Sequence, residues 1–235
     1  MQYMMLPLNE HFDLGFGAVA DSFMDAANAL KEDGATPFLN AHLPVSFLYR
    51  HAIELFLKSA ITIFHRKLNL PYGELPGSDE PQVPVHGKWK PMYTVHAVKP
   101  LHAYMRELFV HHADYLNAHT NTDWSFPNEL AIGIDNIDAT DSSSTFFRYP
   151  VTKHGNKDKD KSAIQRNDNA DILSTITDRP LPLKMFMVTD SNNQILSAYT
   201  FENAQSQAMI ETLSQVAELL SNCHAALVGE LTDGR

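Results

Sequence analysis

The segment PVSFLYRHAIELFLKSAITIFHRKL, residues 44 to 68, limits the possible folds of this chain more than any other. At about 100° per residue, Leu48, Ala52, Ile53, Leu55, Phe56, Leu57, Ala60, Ile63 and Phe64 cover most of the circumference of a helix. A helix that is apolar nearly all round has to lie at the centre of a core. Arg50, His51, Glu54, Lys58 and His65 share the remaining narrow sector. Charged groups on a central helix are costly unless paired, and Arg50, Glu54 and Lys58 stand four apart, which allows pairing along the helix. The seam is either the helix's one solvated face or the floor of a polar groove.

The rest of the chain reads as helices around this one. Phe16, Val19, Phe23, Ala26, Ala27 and Leu30 repeat at three-four spacing, with Gly34 as a stop. Residues 69 to 93 carry five prolines (Pro71, Pro76, Pro81, Pro84, Pro91) and read as a Pro-rich loop excursion. A third helix is predicted from about Val95 to Ala118, with Thr94 as its N-cap, and a shorter one from Pro127 to Ile137. The stretch 155–180 is polar and weakly periodic and reads as a flexible loop. KMFMVTD and QILSAYTF flank Ser191, Asn192 and Asn193, which predicts a β-hairpin over 184–200 that must pack on the helices. Met209, Leu213, Val216, Leu220, Cys223 and Leu227 form the seam of a last helix, about Glu202 to Gly229. The expected fold is therefore mainly α. It is a single domain over 1–235: an up-down bundle of four long helices with long loop insertions and a small β-hairpin before the C-terminal helix.

Hydrophobic residues at 44% and charged residues at 20% match a globular protein. The opening MQYMMLPLNE has neither a basic n-region nor a sustained apolar stretch, so the reading is cytoplasmic, with no membrane span. Cys223 is the only cysteine, which excludes an internal disulfide. A net charge of −10 argues against broad adhesion to a nucleic-acid backbone, though not against a local basic site. Basic residues crowd at Lys153, Lys157, Lys159, Lys161 and Arg166, interleaved with Asp158 and Asp160, and read as a solvated loop.

LYRHAIELFLKSAI, the downstream YTVHAVKPL and then FFRYPVTKHG before a C-terminal helix together resemble the HEPN superfamily of helical-bundle proteins, especially its poorly characterised bacterial members. The resemblance runs from about residue 10 to 230 in element order. It places Arg50, His51, Glu54, Lys58 and His96 on the family's polar positions. Active relatives look like metal-independent endoribonucleases with an Arg and, four to six residues on, a His; Arg148 and His154 in RYPVTKH have that spacing. The resemblance implies His154 as a base for an RNA 2′-hydroxyl and Arg148 as a clamp on the phosphate, with Tyr149 or Lys153 as a further donor and no cofactor. It also implies a homodimer in a toxin-antitoxin or phage-defence setting, with RNA or a nucleotide, or an antitoxin-like protein, as partner.

Tyr149 stands where the family pattern carries a polar residue, and Pro150 prevents a regular helix through the motif. Arg106 and His111 have a similar spacing. Phe146, Phe147 and Tyr149 can equally anchor a loop over the bundle, with Arg148 meeting Glu54. No histidine pair stands at i, i+4 on a helix with a thiol partner nearby, so no metal site is expected, and no phosphate loop or nucleophile elbow is present. Two functions stay open: an endoribonuclease using Arg148 and His154, or a non-catalytic binding module built on Arg50, His51, Glu54, Lys58, His96 and Tyr149.

Overall fold

A computed structural model describes residues 3–32, 40–72, 80–153, 155–167 and 184–234. The protein is mainly α, with two small antiparallel sheets. The helices α1 (Phe16–Glu32) and α2 (His42–Lys67) come first, followed by the short strands β1 (Gln82–Val85) and β2 (Lys88–Pro91). Then follow α3 (Val98–His111), α4 (Ala113–His119), α5 (Asn128–Asp141) and the single turn α6 (Gly155–Asp158). Strands β3 (Ile164–Asn167), β4 (Lys184–Thr189) and β5 (Ile195–Phe201) precede the last helix, α7 (Ala204–Leu231). Among the described residues no helix is long and apolar enough to cross a membrane.

Helix α2 packs against α1, α3 and α7, and every residue from Ala52 to His65 is buried. No proline or glycine interrupts Val45 to Leu68, and side chains such as Ile53, Phe56, Leu57 and Ile61 contribute about 1.5–3 kcal/mol each by leaving water. The helix stops before the prolines. Asn69 takes a left-handed conformation (φ 51°), and the Leu70 N–H donates to the His65 carbonyl at 2.9 Å, a Schellman closure.

Three expectations change. The third helix starts at Val98 and not at Val95, because Met92–Thr94 forms a 3₁₀ turn and the Thr94 hydroxyl bonds the Pro91 carbonyl instead of capping. It also breaks at His112, where the backbone leaves helical geometry and α4 begins. The Pro-rich excursion holds the β1–β2 hairpin, closed by His86 and Gly87, both at positive φ as a two-residue hairpin turn requires. Part of the polar stretch 155–180 is ordered: β3 pairs antiparallel with β5, giving the sheet order β3-β5-β4. The expected hairpin is formed by β4 and β5, and β3 adds a third strand along β5. On β4, Phe186, Met187 and Val188 are exposed. The Gly34 stop and residues 168–180 lie outside the described residues.

A buried polar knot ties the chain's start to two helices. Asp13 caps α1, accepting the Gly15 N–H at 3.0 Å and the Gly17 N–H at 2.7 Å. Its Oδ2 also accepts the Ser59 hydroxyl of α2 at 2.6 Å. Ser59 Oγ lies 3.0 Å from His224 Nδ1 of α7, and His224 Nε2 lies 3.1 Å from the Tyr3 hydroxyl. With the Ser59 proton on Asp13 and a neutral imidazole, Nδ1–H donates to Ser59 and the Tyr3 hydroxyl proton is shared between His224 Nε2 and Asp13 Oδ2, the latter 3.3 Å away. Burial keeps His224 neutral, its value held low against the opposing pull of Asp13. A Cβ on Gly17 would lie 2.0 Å from His224 Nε2. Gly17→Ala is therefore expected to lower stability by about 2–4 kcal/mol, because the ring cannot move without breaking the knot. Gly229→Ala, in open space on the exposed side of α7, should raise stability by up to about 1 kcal/mol. Urea unfolding of both variants checks the pair; equal midpoints would refute the knot.

Candidate functional site

The polar seam of α2 is closed. Arg50, Glu54 and Lys58 are 1%, 2% and 4% exposed, far drier than a groove floor. Arg50 Nη1 donates to Glu54 Oε2 at 3.0 Å, and Lys58 Nζ donates to Glu54 Oε1 at 2.9 Å. Arg50 Nη2 donates to the His96 backbone carbonyl, and its Nε faces Asp141 Oδ2 at 3.7 Å, beyond hydrogen-bond range. Asp141, at the end of α5, is itself fixed by the Thr145 and Phe146 N–H groups at 2.7 and 2.9 Å. Two cations thus meet two carboxylates, and the buried set is formally neutral. Burial alone would raise the Glu54 carboxyl, but Lys58 and Arg50 outweigh it and hold the group below its usual range.

The seam reaches water at its edges. His96, whose side chain is 54% exposed, points Nδ1 at Glu54 Oε1 from 3.0 Å. His51 is half-buried, edge-on to Phe23 with centroids 4.5 Å apart and stacked on Phe47 at 5.8 Å. Burial holds its imidazole below the ordinary value; Glu54 opposes this, while Arg50, Lys58 and Arg148 add to it. It is a neutral imidazole beside cations.

Arg148 is exposed and lies over the rings of Phe47, at 6.0 Å, and Tyr149, at 5.4 Å. It does not meet Glu54, as the loop-anchor expectation had it, because that carboxylate is already bound by Arg50, Lys58 and His96. Phe147 is buried, Phe146 half-buried, and Tyr149 49% exposed, so the two phenylalanines anchor the loop and the tyrosine does not. His154 lies outside the described residues. The structure thus joins Arg50, Glu54, Lys58 and His96 in one network and puts His51, Arg148 and Tyr149 on a neighbouring rim.

Sequence reasoning missed Asp141, which has no periodic signal and reaches Arg50 only through the fold. It also missed Lys161, expected in a solvated loop but 4% exposed; its Nζ donates to the Tyr149 carbonyl at 2.7 Å and meets Asp158 Oδ1 at 2.6 Å. Ser59, His224 and Asp13 have the residue types of a hydrolase triad, yet Ser59 is fully buried and its proton is committed to Asp13. Cys223 is no nucleophile either, since burial pushes its thiol up to about 12. Among the described residues no group of three or more His, Cys, Asp or Glu is placed to hold a metal ion. No protein-family model, curated protein or solved structure matches this chain.

Glu54→Ala leaves Arg50 and Lys58 buried without their shared acceptor and should cost about 3–5 kcal/mol at pH 7. Because the folded carboxyl sits below its unfolded value of about 4.5, this contribution is complete above that pH. It is lost only as the pH falls through the folded value. Urea unfolding of wild type and variant across pH 3 to 8 should show a gap that narrows only at the acid end. A gap that closes between pH 6 and 8 would assign the coupling to a different group.

Proposed function

We propose that the chain is a non-catalytic, HEPN-like binding module: an up-down bundle of four long helices, with α3 and α4 counted together, working in the cytoplasm as a homodimer. Its binding surface is the rim of the α2 seam, formed by His51, Tyr149, Arg148 and the exposed ring of His96. The observation that carries this reading is the closure of the seam. Arg50, Glu54 and Lys58 bind one another and face Asp141 out of water, so they hold the rim in place and are not offered to a reacting group. Phe47, with the His51 ring stacked on it and the Arg148 guanidinium over its ring, gives that rim an aromatic and cationic character suited to a planar or anionic partner group. An antitoxin-like protein or a nucleotide both fit this description.

The ribonuclease reading, with Arg148 and His154, has one observation in its favour: the Arg148 guanidinium is exposed, resting on the Phe47 and Tyr149 rings, where a phosphate can reach it.

Incubation of the full-length chain with total RNA, with and without EDTA, should leave the RNA intact. Cleavage that disappears in both Arg148→Ala and His154→Ala would replace the binding reading with the ribonuclease. Pull-down from a lysate should recover a partner with wild type but not with His51→Ala or Arg148→Ala, at unchanged melting temperature. Equal recovery by all three would remove the rim as the site.

A further inference from the structure

The row of α2 that carries Arg50, Glu54 and Lys58 continues four residues toward the N-terminus with Ser46, and Ser46 lines a cavity of about 190 Å³. That is room for on the order of a dozen waters at about 10–15 Å³ each. Ser46 is 2% exposed, and its hydroxyl has no hydrogen-bond partner among the described residues. A helical serine usually returns its hydroxyl to the carbonyl four residues back, so an unpaired one facing a cavity is a donor awaiting an acceptor.

The groups around Ser46 are also donors. Helix α7 begins at this cavity with Gln205 and Ser206, and its N-cap, Asn203, makes no side-chain cap bond. The Gln205 and Ser206 N–H groups have no hydrogen bond among the described residues, and both residues belong to the first turn of a 28-residue helix, its positive end. Lys157 is exposed at the mouth and uses one of its three donor hydrogens, on the Ala139 carbonyl at 2.8 Å. Lys161 lies buried in the wall, with Asp158 as its counter-ion and its ammonium 4.6 Å from the centre of the Phe146 ring. His42 donates Nε2 to the Lys161 carbonyl at 2.8 Å. Lys157 and Lys161 against the Asp158 carboxylate leave a local excess of positive charge in a chain whose net charge, with histidines neutral, is −10. Leu43, Phe146, Phe147 and Met209 add apolar lining.

From this convergence we infer that the cavity binds a small phosphate monoester with an apolar or aromatic body. The phosphate oxygens accept from Ser46, Lys157 and the first N–H groups of α7, while the body lies against Leu43, Phe146 and Met209. Several donors and few acceptors suit a tetrahedral oxyanion, and the apolar lining beside them receives the body. The inference does not depend on whether Arg148 takes part in a reaction. Its residues also lie outside the His51 rim, so the failure of either reading shows separately.

Phenyl phosphate, inorganic phosphate and phenol are the probes, titrated calorimetrically into the full-length chain at constant ionic strength. Phenyl phosphate should bind saturably and at least tenfold more tightly than inorganic phosphate, and phenol should not bind. Lys157→Glu should weaken phenyl phosphate at least tenfold. Ser46→Ala should weaken it about fivefold with a melting temperature no lower than wild type, because the hydroxyl removed has no partner to lose. The proposal is overturned if phenyl phosphate does not saturate, if phenol binds as tightly, or if both variants keep wild-type affinity.

Discussion

Glu54 accepts from Arg50 and from Lys58, on the same helix, and from His96, which precedes α3. Without that shared carboxylate a helix buried as deeply as α2 could not carry two cations, since neither reaches water and the Coulombic return in a dry interior depends on close, bonded geometry. Asp141 completes the balance from α5, held by two backbone N–H groups of the loop that follows. The central helix, the start of α3 and the end of α5 are therefore fixed to one another by charge as well as by packing. The half-buried rim takes its position from that frame.

A second polar element works at the other side of α2. Asp13, Ser59 and His224 join the segment before α1 to the middle of α2 and the last third of α7. In both, a carboxylate fixed by backbone N–H groups faces a polar side chain of α2, Ser59 through a hydrogen bond and Arg50 across 3.7 Å. They differ in what they leave open: the Asp13 knot has every polar atom committed, whereas the Glu54 network ends at His96 in solvent.

How much of this was legible in the sequence follows from the range of each interaction. The α2 helix, its central position and the pairing of Arg50, Glu54 and Lys58 are local in the chain and follow from period and spacing alone. The β4–β5 hairpin was legible for the same reason. Asp141, Lys161 and His224 were not, because each acquires its role from a partner brought near by tertiary folding; His224 sits on an apolar seam, where it reads as a defect in the pattern. The break at His112 was missed because the apolar repeat continues across it, and β3 because a four-residue strand in a polar stretch owes its pairing to β5. Arg50, Glu54, Lys58 and His96 do lie together, but period could not show that the seam is roofed over, since a helical projection has no information about what covers a face.

The four-residue spacing of the α2 row also bears on how the helix can slide. A shift of four residues, about 6 Å along the axis, would keep most apolar side chains on apolar positions and is the sort of misregister that packing alone resists weakly. In this row it would bring Glu54 into the place of Arg50, opposite Asp141 and the His96 carbonyl, so that a carboxylate faced two acceptors. The opposite shift would put Ser46 there and leave Asp141 without a cation. The alternation of sign along the row thus acts as a ratchet that admits a single axial setting, a role for which the charges need contribute nothing to net stability.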